Sequence, residues 1–209
     1  EISIIDAALE DLDQREIVEK VSAFSPELVG LSGLTVHTDE IKDTAKNIHK
    51  VFPETVVVAG GPAATSNYIE ILKEHSINVG VLGEGEETFY QIVRSLQEGK
   101  DISTLDGLVF LDQEGKVRVN NERKLIENLD EIPRPAYHLI SVKDYFYSSK
   151  RNSQSPIYIS SRNLPILSSR GCPYKCIYCH KTLGKSFRAR SSSSVVDEII
   201  WMKQTYNIE

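Results

Sequence analysis

The sequence predicts an α/β protein built on a doubly wound parallel sheet, followed by the start of a second domain. Three observations carry that expectation. Short unbroken apolar runs alternate with amphipathic stretches from residue 1 to about 98, and the runs end in glycine-bearing loops. A proline-marked segment, NLDEIPRP at 128–135, then separates this region from one that holds every cysteine in the chain. Strands covered by helices on both faces lose the polar half of their alternation, so unbroken apolar runs point to a parallel sheet.

Each element follows from its pattern. EISIID (1–6) alternates and predicts a strand, and residues 13–24 set Ile17, Val18, Val21 and Phe24 at helical spacing. ELVGLSG (27–33) is a short apolar run. A helix is expected from Asp39 to Val51, ended by Pro53. TVVVAGG (55–61) is a β-branched run that stops at a glycine pair. Residues 66–74 predict a helix, NVGVLGEG (78–85) a strand entering a glycine loop, and 86–97 a helix with Phe89, Ile92, Val93 and Leu96 on one side, ending at Gly99.

Residues 106–120 carry two β runs around Gln113-Glu114-Gly115 and predict a hairpin. ENLDEIPRPAYHLI (127–140) reads as a connector, and 141–163 is polar with little signal. LPILSSRG (164–171) predicts a short strand leading into the cysteines, with a helix over 195–206 after them. In an open α/β sheet the ligand edge lies at the carboxyl ends of the strands, which here puts SGLTVHT, AGGPAAT and GEGEETF on one rim.

Composition sets limits. The 209 residues are 40% apolar and 26% charged, ordinary values for a folded globular chain. A net charge of -6 and a pI near 5.5 give no indication of a broad nucleic-acid surface. No apolar run approaches the ~18 residues of a membrane span, and the N-terminus lacks a secretory pattern, so a cytoplasmic location is the expectation. The chain does not begin with Met and both ends read as cut through domains, so an internal piece of a longer protein is expected.

The chemistry is concentrated in RGCPYKCIYCH (170–180). Three cysteines so close together cannot form a disulfide framework, and reduced thiols holding a metal fit better. Cys176-Ile177-Tyr178-Cys179-His180 matches a covalent haem attachment signature, but that reading leaves Cys172 unexplained and lacks an export signal. Structural zinc requires a fourth ligand, and His180 directly follows Cys179, where convergence is awkward. A 4Fe-4S cluster has four corners, of which three thiolates on one loop reach three, leaving an open iron for a small molecule.

The spacing C-x-x-x-C-x-x-C with an aromatic before the third cysteine resembles the radical S-adenosylmethionine (SAM) superfamily. The resemblance implies Cys172, Cys176 and Cys179 as cluster ligands and Tyr178 packed near the SAM adenine. Arg170-Gly171 before the loop and Phe187-Arg188-Ala189-Arg190-Ser191 after it resemble the same family, with Arg188 and Arg190 as candidate contacts of SAM or an anionic substrate.

The region in front resembles the cobalamin (B12)-binding domain of the B12-dependent branch, through LVGLSGLT (28–35), VVVAGGP (56–62), GVLGEGEETF (80–89) and NLDEIPRP. What this implies is a Rossmann/flavodoxin-like five-stranded parallel sheet over 1–125 lacking its first strand, a linker over 126–163, and over 164–209 the start of a radical SAM (β/α) partial TIM barrel. With EISIID aligned as the second strand, the missing one is an interior strand, and this fragment is expected to fold poorly alone. Ser32, Gly33, Leu34 and Thr35 with Gly60 and Gly61 would surround the nucleotide tail of cobalamin, with Gly83, Glu84 and Gly85 as a nearby rim loop. The cobalt-ligating string Asp-x-His-x-x-Gly is absent, so the lower axial ligand of cobalt is undetermined; His37 lies on the same rim, where a lone loop histidine is more often solvated than a ligand.

The function so implied is reductive cleavage of SAM at the cluster to a 5′-deoxyadenosyl radical, with methyl transfer through cobalamin to an unactivated carbon of a small-molecule substrate. An electron donor such as flavodoxin or ferredoxin is the implied partner. A radical cyclase or rearrangement enzyme with the same cofactors, and a non-catalytic cobalamin or iron–sulfur module, are the alternatives. This chain alone, with one barrel strand, is not expected to turn over.

Overall fold

The computed structural model describes residues 1–73, 75–147, 162–179 and 182–209. They fall into two compact units: Val18–Ile126 with Gly171–Ser186, and Glu1–Ile17 with Glu127–Arg170 and Phe187–Glu209.

The larger unit is a sheet wrapped by helices. After α1 (Gln14–Phe24) come β1 (Leu28–Ser32), α2 (Thr38–Val51), β2 (Val56–Gly60), α3 (Gly61–Leu72), β3 (Val79–Val81) and α4 (Glu86–Gln97), then β4 (Leu108–Leu111) and β5 (Val117–Val119). The strands lie in the order β1-β2-β3-β4-β5. β1, β2 and β3 run parallel, with Ser32 opposite Gly60 and Val58 opposite Val79. Val58, Val79 and Val81 pack with Ile92 of α4 and Leu108 of β4 in one buried cluster. Val57 and Ala59, fully buried, point to the other face of β2. Burial on both faces is the physical reason this strand reads Val-Val-Val-Ala.

Two expectations are corrected here. Among the described residues the sheet has five strands, of which β1, β2 and β3 are parallel. The hairpin of 106–120 joins the same sheet, β4 pairing antiparallel with β3 and β5 antiparallel with β4. The connection from β3 to β4 spans residues 82–107 and contains α4, long enough for either direction, so its length does not decide the orientation; β4 enters antiparallel and turns back at once into β5. The close approach is built in at Gly80, where a Cβ would stand 2.7 Å from Val109 Cγ1.

Residues 1–6 form no strand. Alternation makes a strand only where a partner supplies the ladder, and β1 has β2 on one side and no paired strand on the other among the described residues. Asp6 instead accepts Leu9 N–H at 2.9 Å and the Tyr145 hydroxyl.

In the smaller unit, α5 (Val142–Tyr147) is followed by β6 (Ser169–Arg170) and β7 (Arg188–Ala189), which pair antiparallel, and by α6 (Ser192–Tyr206). Ser191 caps α6, its hydroxyl accepting Ser194 N–H at 3.2 Å, and Asn207 closes it in the left-handed region at φ 54°. The proline-marked segment packs in this same unit. Tyr137, Trp201 and Tyr206 form an aromatic cluster with centroids 5.6–6.2 Å apart, and the Arg134 guanidinium lies 5.1 Å from the Trp201 ring centroid. The strand expected over 164–171 is the two-residue β6.

Candidate functional site: a glycine rim and a cysteine loop

The parallel register brings the ends of β1, β2 and β3 to one rim, as expected. Gly61 has φ +73°, and a Cβ there would stand 2.6 Å from Ser32 Oγ. Only glycine lets the β2 loop pass this close to the β1 loop. Ala63 N–H then donates to Gly33 O at 3.1 Å, and Gly83 N–H donates to Thr65 Oγ1 at 3.1 Å. The three loops are thereby fastened to one another in sequence. Gly85 begins α4, its carbonyl accepting Phe89 N–H at 2.7 Å.

Above this fastening the rim is open. Among the described residues a Cβ on Gly60 would meet nothing within 4 Å, and Gly60 has φ -139°, a conformation any residue adopts. Ser32 and Thr35 are exposed, as are the side chains of Leu34 (56%) and Val36 (78%). Small hydroxyls, bare backbone and unburied apolar side chains side by side suit a broad, partly apolar ligand such as cobalamin.

Two rim residues have internal duties. The Glu84 carboxylate, 7% exposed, accepts Ile126 N–H at 2.9 Å. His37 Nδ1 accepts Leu34 N–H at 3.3 Å.

The cysteine loop, 171–186, belongs to the same unit as the rim. Gly83 lies against Thr182, whose carbonyl oxygen would be 3.6 Å from a Cβ on that glycine. Gly184, at φ +76°, lets the loop press on Leu125. Cys172 N–H donates to Gly184 O at 3.3 Å and Cys179 N–H to Cys176 O at 3.3 Å. Cys172, Cys176 and Cys179 are exposed and form no disulfide. Tyr178 is 89% exposed.

Three exposed thiols on one loop are the donor set a 4Fe-4S cluster takes. The structure does not draw them into a closed site: among the described residues, no group of three or more His, Cys, Asp or Glu is placed to hold a metal ion. His180 lies outside the described residues.

Sequence reasoning missed the neck of this loop. Gly171 sits at φ +81°, where a Cβ would lie 2.0 Å from the Ser186 carbonyl oxygen. Its place directly before Cys172 was the available signal.

Arg190, expected to meet SAM or an anion, is spent inside the smaller unit. Its guanidinium donates to Glu198, to Leu167 O at 3.4 Å, to Ser194 O at 3.2 Å and to Ser194 Oγ at 2.9 and 3.3 Å. Asp130 was also missed; it accepts Ser191 N–H at 3.0 and 3.3 Å. The Ser191 hydroxyl, then its N–H, Ser194 and the Arg190 charge hold the Asp130 carboxyl below the usual carboxylate range. Arg190 and Glu198 also line a cleft of about 270 Å³ with Leu129, Ile132, Tyr137 and Leu167.

Comparison with known proteins agrees with this geometry. Residues 1–93 match the family model described as B12 binding domain. The whole chain aligns at 32% identity with an uncharacterized methyltransferase of Pyrococcus horikoshii, covering 44% of it. It aligns, again over its whole length, at 29% identity with the anaerobic magnesium-protoporphyrin IX monomethyl ester cyclase of Synechocystis, covering 40%. Among solved structures, the radical SAM methyltransferase TsrM of Kitasatospora setae, with cobalamin and a [4Fe-4S] cluster bound, superposes on 98% of the chain at a TM-score of 0.70. That match covers 40% of TsrM at 18% identity, so it speaks for the fold. The chain thus spans less than half the length of these proteins. The match of residues 1–93 to the B12 binding domain and the whole-chain similarity to these proteins agree with a glycine rim and a cysteine loop held in one compact unit.

Proposed function

We propose that the protein containing this chain is a cobalamin-dependent radical SAM enzyme that methylates an unactivated carbon of a small molecule. The observation that carries the reading is a C-x-x-x-C-x-x-C loop packed in one compact unit with the glycine rim of a B12 binding domain. We take 1–125 as the cobalamin domain, 126–163 as the connection and 164–209 as the beginning of the radical SAM domain.

Cys172, Cys176 and Cys179 hold the cluster, and Tyr178 flanks SAM. Ser32, Gly33, Leu34, Thr35, Gly60 and Gly61 receive the cobalamin tail, and Gly83 with Gly85 shapes the adjacent rim. Glu84 supports that rim by holding Ile126. When bound, the cluster supplies the electron that splits SAM, and cobalamin carries the methyl group. The chain's own residues position these groups; the glycines allow close backbone approach, and the neck at Gly171 presents the thiols.

Reductive cleavage needs one electron from outside. A small acidic carrier of the flavodoxin or ferredoxin type is the partner we propose. In support, the sequence from Tyr145 to Val196 has nine Lys and Arg and no Asp or Glu, within a chain of net charge -6. Among the described residues no helix is long and apolar enough to cross a membrane. Exposed cysteines kept reduced fit the cytoplasm.

Anaerobic incubation of the full-length protein with SAM, methylcobalamin and reductant is the test. Formation of 5′-deoxyadenosine and methionine, with loss of the cobalt-bound methyl group to an acceptor, supports methyl transfer. The whole-chain similarity to a cyclase favours one second reading, ring formation with the same cofactors, for which 5′-deoxyadenosine appears without methyl loss. Cobalamin and cluster binding without SAM cleavage contradicts both.

A further inference from the structure

We infer that Arg190 is a positioning residue for the cysteine loop, acting through the loop's neck and not by touching SAM or substrate. The inference rests on the reading that this loop holds a cluster.

The neck is where the chain enters and leaves the loop. Arg170 pairs with Arg188, and Ser169 with Ala189, as two antiparallel strands of two residues each. So short a ladder is weak alone. One residue adds to it three ways. Arg190 N–H donates to Ser168 O at 2.9 Å, extending the ladder. The Arg190 guanidinium reaches back to Leu167 O on the incoming strand, and it binds Ser194 and Glu198 on the first turns of α6. The incoming strand, the outgoing strand and α6 therefore meet on one planar fork.

Burial makes the fork stringent. The Arg190 side chain is 14% exposed and that of Glu198 4%. Nε, Nη1 and Nη2 all have acceptors inside the chain, so the guanidinium faces its own fold. Lysine cannot replace a planar fork that serves several acceptors at once. The separation of residues 170 and 188 fixes the end-to-end distance of the segment bearing Cys172, Cys176 and Cys179, and with it how readily three thiolates converge on one cluster.

A contact of SAM, a pure stabiliser and a positioning residue behave differently in three variants of the full-length protein: Arg190→Met, Glu198→Met and the double variant. Removing one member of a buried pair strands the other charge, whereas replacing both by apolar groups of similar size often restores stability. Each protein is reconstituted anaerobically with iron and sulfide, and Tm, iron loss to a chelator, and the EPR spectrum of the reduced cluster without SAM are recorded.

Groups that orient metal ligands change affinity by about 10- to 100-fold when removed. All three variants are expected to lose iron about tenfold faster than wild type and to show an altered SAM-free spectrum. The double variant does so although its Tm recovers, because Leu167 O still lacks its tie. Recovery of iron retention together with Tm overturns the inference, since the pair then serves stability alone. So does a Glu198→Met protein with a normal cluster beside an Arg190→Met protein impaired only in SAM affinity. Should the Met variants not fold, Ser194→Ala removes one acceptor and keeps the ion pair; an unchanged SAM-free spectrum there overturns it as well. A wild-type protein that holds no cluster overturns the functional reading itself, and this inference with it.

Discussion

Gly171→Ala tests the cysteine loop where the structure constrains it most. The new methyl group would stand 2.0 Å from the Ser186 carbonyl oxygen and 2.8 Å from its carbon, both backbone atoms. The backbone is also at φ +81°, and a left-handed conformation costs a residue with a side chain about 1–2 kcal/mol. Overpacking adds about 1–3 kcal/mol, so the native neck should be disfavoured by about 2–5 kcal/mol, or about 30-fold to several thousand-fold. Relief is local: the strain disappears if Gly171 and Ser186 separate, which opens the loop without unfolding the sheet. The full-length Gly171→Ala protein is therefore expected to bind cobalamin normally and to hold well under half the iron and sulfide of wild type after anaerobic reconstitution. Gly115→Ala is the control, because Gly115 shares a positive φ of +74° but, among the described residues, nothing lies within 4 Å of a Cβ there. Normal cluster content in Gly171→Ala, or equal loss in Gly115→Ala, refutes the reasoning.

Gly60→Ala meets neither strain nor clash within the fold, so its Tm should match wild type while cobalamin affinity falls about tenfold; unchanged affinity by spectral titration removes Gly60 from the site. Ile92→Ala empties a fully buried position in the sheet's main cluster and should destabilise by about 2–5 kcal/mol in urea denaturation. The Asp130 carboxyl titrates below its unfolded value of about 3.9, so its contribution to stability is full above that pH and is lost as pH falls through the lower folded value. Asp130→Asn should accordingly flatten the fall of Tm with pH in that acid window and leave the slope near pH 7 unchanged. Lys175 and Lys185 are exposed on the cysteine loop; reversing both to Glu should slow cluster reduction by flavodoxin but not by dithionite, with the wild-type flavodoxin rate falling as salt rises.

Legibility in the sequence tracked how local each signal was. Helix 86–97 and the runs 27–33, 55–61 and 78–85 were readable because their burial patterns are encoded residue by residue. α3 begins at Gly61, not at 66, because the glycine pair reads as a stop although Pro62 in the first turn is a helix-start signal. EISIID failed as a strand because pairing is decided by a neighbour and not by alternation. The hairpin's place in the main sheet was likewise a tertiary matter, decided by which edge β3 left free.

The site divided the same way. The cysteine spacing and the rim glycines stood out as motifs, while the partners that hold them did not. Nothing in the string links Glu84 to Ile126, Thr65 to Gly83 or Asp130 to Ser191, since those bonds span 42, 18 and 61 residues. Arg190 shows the cost of motif reasoning alone: a charged residue near a site reads as a ligand contact until its acceptors are found within the chain.

The central claim is that three thiolates hold a cluster whose fourth iron is open to SAM. EPR of the reduced, reconstituted full-length protein, recorded with and without SAM, tests it most directly. Three thiolate ligands and an open iron give a cluster signal that changes on adding SAM and is absent when Cys172, Cys176 and Cys179 are replaced by Ala. A signal indifferent to SAM, or one that survives the triple substitution, contradicts it.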